Sequence, residues 1–209
     1  MKKYCLLSND VETTSIWHNT LRDKTGYKVL REGMPPLLDL YAKYNVKSTF
    51  FFTGYIAKLY PEIVKMVQPY GHEIGSHGLS HEKEDGFDVM PLDKQIEHLK
   101  TSKKILEDIS GEEVISFRAP ALRVNNDTAI ALAESGYKID SSVASQRFDM
   151  FMSFGGLKKL NWLVAPRLPY RTKEGSLFRK GKGDLLEIPL SASILPYLCL
   201  LYTSDAADD

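Results

Sequence analysis

Three short stretches of the 209-residue sequence combine residue types and spacings that suit chemistry. In Gly71-His72-Glu73-Ile74-Gly75-Ser76-His77-Gly78-Leu79-Ser80-His81, the histidines at 77 and 81 are four apart. One helical turn or a tight loop would bring both imidazoles to one point, the arrangement of a divalent-metal site. Flanking Gly75 and Gly78, after an apolar strand, separate this pair from His18, His72 and His98, which read as structural histidines. Ser8-Asn9-Asp10-Val11-Glu12-Thr13 offers two carboxylates, although taken alone it is also an ordinary acidic turn or helix cap. Phe117-Arg118-Ala119-Pro120-Ala121-Leu122-Arg123 puts a guanidinium at a strand end, either as a surface cation or as the buried partner of a carboxylate. Gly136-Tyr137-Lys138-Ile139-Asp140-Ser141-Ser142 follows it.

The elements that must position these groups alternate between strand-like and helix-like patterns, as in βα units around a parallel sheet or barrel. Strands are expected at Tyr4 to Ser8, Lys47 to Thr53, His72 to Ser76, Val114 to Phe117, Tyr137 to Ile139 and Asp184 to Leu190. Helices are expected at Gly33 to Tyr44, Tyr55 to Val67, Met90 to Ile109 (closed by Gly111) and Asn126 to Ser135. The chemical residues then fall at strand ends, where parallel barrels carry their reactive groups. Val143 to Gly183 reads as one long irregular stretch, and loops of that length tend to be functional.

A hydrophobic content of 43% with 26% charged residues is that of one soluble globular domain. Lys+Arg and Asp+Glu balance at 27 each, which removes any global attraction to nucleic acid or an anionic membrane. No stretch approaches the ~20 apolar residues of a membrane span. Cys5, placed in a buried strand, and Cys199 lie near opposite ends and form no disulfide framework, so the expected compartment is reducing cytosol. The run Cys199 to Asp209 resembles a translated sequencing adapter, so the expected domain is 1–198 with 199–209 a non-native tail.

Taken together, Asp10-Val11-Glu12, His77-Gly-Leu-Ser-His81, Arg118-Ala-Pro120 and Asp140-Ser-Ser142 resemble, in order and spacing, the NodB-homology polysaccharide deacetylases of carbohydrate esterase family 4. Thr49-Phe50-Phe51-Phe52-Thr53-Gly54 is also similar to that family's second strand. The resemblance implies an α/β fold, a distorted (β/α) barrel, incomplete here at the C-terminus. It implies one divalent ion, Zn²⁺ foremost, held by a carboxylate and two histidines, with water in the open position. Such an ion lowers the pKa of bound water to roughly 7 and polarises the amide carbonyl, while a second carboxylate takes the proton.

Most members of the family carry adjacent aspartates, whereas this chain has Asn9-Asp10 and then Glu12. Either Asn9 replaces the base and Asp10 binds metal, or Asp10 is the base and Glu12 joins His77 and His81 as ligand. The second alignment is preferred, because Asp10-Val11-Glu12-Thr13 resembles the subgroup with an Asp-x-Asp pattern that includes lipid-linked formamido-arabinose deformylases. Arg118 would orient the catalytic carboxylate, and Asp140 would tune a histidine general acid. No histidine follows His98, so that acid is expected beyond the point where the natural sequence breaks off.

Residues 155–183 hold Lys158, Lys159, Arg167, Arg171, Lys173, Arg179, Lys180 and Lys182 around Trp162, Tyr170 and Phe178. They read as a solvated loop, or as a lid that stacks sugar rings and meets phosphates. The expected activity is hydrolysis of an N-acetyl or N-formyl amide on an amino sugar, phosphate- or lipid-linked ones included, at the cytosolic membrane face. A hydrolase of non-sugar amides and a non-catalytic sugar-binding relic are the competing readings.

Overall fold

The computed structural model describes residues 5–13, 22–145 and 160–191. Six strands run parallel in the order β1 (Leu7–Val11), β2 (Ser48–Phe52), β3 (Glu73–Ser76), β4 (Ser116–Phe117), β5 (Ile139–Asp140) and β8 (Leu186–Glu187). A hairpin of β6 (Tyr170–Lys173) and β7 (Ser176–Lys180) continues the sheet beyond β8, with antiparallel pairing. The sheet is therefore mixed. Helices α1 (Asp23–Lys28), α2 (Met34–Lys43), α3 (Gly54–Leu59), α4 (Pro61–Lys65), α5 (Leu92–Ser110), α6 (Thr128–Glu134) and α7 (Leu160–Val164) make up the other layer. Among the described residues, no helix is long and apolar enough to cross a membrane.

The centre of the sheet follows from composition. In β2, Phe50, Phe51 and Phe52 are all buried, so both faces of this strand are covered, as a parallel sheet between helices requires. Gly75 in the neighbouring β3 makes this possible, because a Cβ there would stand 2.6 Å from the Phe51 ring. Along α5, Gln95, Leu99, Ser102 and Leu106 share the buried face at helical spacing. The helix expected over Tyr55 to Val67 is divided in two, because Tyr60, directly before Pro61, adopts a non-helical conformation and ends α3.

Two expectations are corrected. Among the described residues the first strand begins at Leu7, after an exposed Cys5, and the expected start at Tyr4 lies outside them. Its register is set by β2, whose Ser48 pairs with Leu7, and this draws Asn9 and Asp10 into the strand itself. Tertiary partners for those polar side chains override their low strand propensity. The stretch expected to be irregular contains the β6–β7 hairpin, and Trp162, Tyr170 and Phe178 are core residues, only 3–5% exposed. Tyr170 and Phe178 face inward from the hairpin and Trp162 from α7, so they form no open stacking platform. Lys158, Lys159 and His18 lie outside the described residues.

Candidate metal centre

Strand alternation sorts the acidic segment. Side chains at positions 8, 10 and 12 share one face of the chain, and position 9 takes the other. Asn9 donates from Nδ2 to Ser48 Oγ at 2.8 Å and accepts from the Tyr41 hydroxyl at 3.2 Å. On the opposite face, Asp10 Oδ1 accepts from Arg118 Nη1 at 2.9 Å, and Asp10 Oδ2 lies 4.0 Å from His77 Nε2. The segment thus directs its amide toward α2 and its carboxylates toward the histidines.

His77 follows β3 directly and is 2% exposed. Its backbone N–H bonds Phe52 O, and its Nδ1 pairs with the Arg118 carbonyl at 2.8 Å, which leaves Nε2 facing Asp10. Gly78, at φ +72°, turns the chain in a conformation costly for other residues. His81 arrives three residues later with Nε2 3.7 Å from Glu12 Oε2. That nitrogen also accepts the Ala121 N–H at 3.0 Å, and Ala121 itself sits at positive φ. The following loop is tied down from outside: Ser80 Oγ donates to Asp85, Asp85 stands 3.6 Å from His98, and Arg123 pairs with Asp88 at 2.7 Å.

Ligand atoms of Glu12, His77 and His81 lie within 4.8 Å of one another. The set fits a divalent cation on two further grounds. Glu12 Oε2 is buried without a hydrogen-bond partner among the described residues, an acceptor that a cation would satisfy. Burial, reinforced by the charge of Asp10, also pushes the Glu12 carboxyl up to about 8, so it holds a proton that a metal ion would replace. Burial lowers both imidazoles, His81 to about 4, which keeps them neutral: His77 Nε2 can ligate as it stands, and His81 Nε2 on releasing the Ala121 N–H.

Asp10 is governed differently. Burial raises its pKa, but His77 and the Arg118 guanidinium outweigh that and hold the carboxyl below its ordinary value. Arg118 is 5% exposed and fully engaged. Its Nη2 donates to Ser8 Oγ and Ser141 Oγ at 2.9 Å each, its Nε donates to Ser141 O at 3.1 Å, and its Cζ lies 4.4 Å from the Phe51 ring centroid. Of the two readings left open for this arginine, the structure holds the buried Arg–carboxylate pair.

Asp140, the remaining residue singled out by sequence, is fully buried and bonded to Ser142 Oγ at 2.6 Å and to Glu187. Ser8, Phe51, Ala121 and Glu187 were not foreseen. Only Glu187 carried a signal, as a lone carboxylate within Leu185-Leu186-Glu187-Ile188-Pro189.

Three comparisons bear on this arrangement. In Helicobacter pylori, the protein named peptidoglycan deacetylase is 32% identical over 159 residues, 75% of this chain and 52% of its own length. A crystal structure from Mycobacterium smegmatis, assigned to the polysaccharide deacetylases, superposes with a TM-score of 0.61 at 23% identity, over 92% of this chain and 63% of that one. The structure of PuuE allantoinase gives 0.63 at 18% identity over 90% and 61%. Both structures share the distorted βα-barrel fold, and the chain spans about half the length of the curated relatives it matches. The family model described as polysaccharide deacetylase matches residues 19–139, more than half the sequence, a span that includes His77, His81 and Arg118. The chain belongs to the polysaccharide deacetylase family.

Proposed function

We propose that this protein is a metal-dependent amidohydrolase that removes the N-acetyl group from amino-sugar residues of a cell-wall polymer. The observation that carries the reading is the convergence of Glu12, His77 and His81 beside an Asp10 carboxylate held by Arg118. Glu12 and the two imidazoles are the ligands, and Zn²⁺ suits their nitrogen and oxygen donors. A divalent ion bound there supplies a Lewis acid for the amide carbonyl and acidifies water.

The protein's own groups do the rest. Asp10, kept ionised by Arg118, accepts the proton of the attacking water through Oδ2, while Oδ1 stays bonded to the guanidinium. Ser8 and Ser141 fix the guanidinium, so Asp10 cannot swing away from His77. The bonding of Asn9 to Ser48 and Tyr41 speaks against Asn9 as a substitute base, and with it against the non-catalytic relic.

The relatives named peptidoglycan deacetylases favour a wall polymer as substrate. N-formyl amides and phosphate- or lipid-linked amino sugars form the second substrate class, which a cytoplasmic enzyme at the inner membrane face would meet. Their support is the set of exposed cations at Arg171, Lys173, Arg179 and Lys182. The test is acetate release from N-acetylglucosamine oligomers and from peptidoglycan, with zinc and with chelator. Turnover that the chelator abolishes and zinc restores is expected; zinc-loaded protein that releases nothing from any acetylated or formylated sugar overturns the reading.

A further inference from the structure

Behind the Arg118 clamp lies a second acidic feature that the proposed reaction leaves unused. Asp140 ends β5 and Glu187 ends β8, and the two are register partners across adjacent parallel strands. Both are wholly buried, and they are within hydrogen-bonding contact of each other. Glu187 Oε1 accepts the Val143 N–H at 3.2 Å, and among the described residues no N–H or O–H donor reaches Oε2. Asp140 accepts from Ser142 Oγ at 2.6 Å and from Ser142 N–H at 3.3 Å. Two ionised carboxylates cannot occupy such a place together, so one of them must carry a proton.

The pair leads straight to the clamp. Ser142 Oγ, donating to Asp140, accepts the Ala119 N–H at 2.9 Å. Ser141, between them, receives Arg118 through both its carbonyl and its hydroxyl, and its hydroxyl donates to Ile188 O, the residue after Glu187. We propose that Glu187 is a positioning residue: sharing one proton with Asp140, it locks the Ser141–Ser142 turn that aims Arg118 at Asp10. The proposal rests on the hydrolase reading for its kinetic consequence only.

The charged and titratable groups facing the pair are Arg118 from the end of β4 and Tyr170 from β6, the register neighbour of Glu187 on its other side. Arg118 compensates one negative charge there. The Tyr170 hydroxyl donates to Leu177 O and stays protonated, because burial and the two carboxyls hold its ionisation far above the usual phenol range. Burial, then the Asp140 charge, raises Glu187 well above an ordinary glutamate. The folded protein therefore keeps a proton that the unfolded chain loses above the ordinary glutamate range. Stability associated with it is complete at low pH and declines as pH rises toward the folded value.

The experiment compares the full chain with Glu187→Gln, whose neutral amide can donate to Asp140, and Glu187→Ala, which cannot. In thermal unfolding from pH 5 to pH 9, wild type should fall behind Glu187→Gln by an amount that grows with pH, by about 4 °C or more. Glu12 titrates identically in both proteins and drops out of the difference. The ¹⁵Nε–H resonance of Arg118 should persist in Glu187→Gln and broaden or vanish in Glu187→Ala. The kcat for acetate release should fall roughly tenfold or more in Glu187→Ala with KM retained, and recover in Glu187→Gln. Parallel unfolding profiles overturn the shared proton; an intact Arg118 signal in Glu187→Ala overturns the positioning role. Should Glu187→Ala fail to fold, Glu187→Met takes its place. A wild type that hydrolyses nothing sinks the hydrolase reading alone, since the unfolding and resonance measurements still decide this one.

Discussion

His72 and His77 stand at opposite ends of one strand, β3, and are nearly equally buried, at 5% and 2% exposed. Each has its Nδ1 tied to backbone, His72 accepting the Ser48 N–H at 3.2 Å and His77 paired with the Arg118 carbonyl. They differ in what surrounds the second nitrogen. His72 is packed among Tyr41, Phe50 and Tyr70, with centroids 5.0–6.1 Å away, whereas His77 Nε2 faces Asp10. An acceptor bond at Nδ1 places the His72 proton on Nε2, while a donor bond at Nδ1 leaves His77 Nε2 with a free lone pair. Residue type and burial are thus shared by both ends of the strand, and only the carboxyl end has the electron pairs and charges that hold a cation.

The strongest way to break that contrast is to remove the ligating nitrogen. His77→Ala, or His81→Ala, should cut zinc affinity by at least ~100-fold and take hydrolysis to background, while the protein still folds. Metal content by elemental analysis and acetate release check this; unchanged zinc binding in both variants would make the two ends of β3 equivalent. The next effect separates holding a metal from using it. Asp10→Asn should keep the zinc and lose roughly 10²–10⁴ in kcat, because the amide preserves the bond to Arg118 but cannot take a proton. Loss of zinc instead would make Asp10 the ligand and reverse the roles given to Asp10 and Glu12.

A smaller, graded effect follows from the Glu12 proton. With Glu12 at about 8 and His81 at about 4, the proton that competes with metal near neutrality sits on the carboxyl, not on the imidazoles. Zinc affinity should therefore climb by about tenfold per pH unit from pH 6 and level off near 8. The sign for folding is the reverse. The metal-free protein binds this proton more tightly than its unfolded chain does, so stability is complete below about 4.5 and declines as pH rises toward 8. Isothermal titration across pH 6–9 and melting of the chelated protein read the two slopes, and flat slopes would place a different group at the metal.

Much of this site was legible because its signals are local. The i, i+4 histidines, their flanking glycines and the Asp10-x-Glu12 alternation each fix geometry within a few residues, and a strand's two-residue period sends Asn9 away from Asp10 without help from the rest of the fold. What escaped depends on long-range partners. That β1 starts at Leu7 is decided by pairing with Ser48, and that Arg118 lies on Phe51 is decided by Gly75 in a neighbouring strand. The aromatics at 162, 170 and 178 look alike in a lid and in a core, since aromatic residues among cations occur in both. The burial of Tyr170 and Phe178 follows from a hairpin whose signal, Thr172-Lys173-Glu174-Gly175-Ser176, is brief and overshadowed by the charge around it. The signal of Glu187 is ambiguous, because one acid in an apolar strand reads as the strand's solvent face until its neighbour proves to be Asp140.

The smallest effect sharpens the comparison from its amino end. His72→Leu removes the acceptor of the Ser48 N–H and the aromatic packing around it, but touches nothing near the histidine pair. Leaving one buried N–H unsatisfied costs about 1–3 kcal/mol, equivalent to a few °C in Tm for a chain of this size. Ser48 also receives Asn9 through its hydroxyl, so part of the strain would be passed to β1, on the face away from Asp10. Because strand alternation insulates one face from the other, zinc affinity and kcat should stay within about twofold of wild type despite the lost stability. A fall in zinc affinity comparable to that of His77→Ala would mean that β3 transmits changes from one end to the other, and the carboxyl end would then owe its chemistry to the whole strand and not to the lone pairs gathered there.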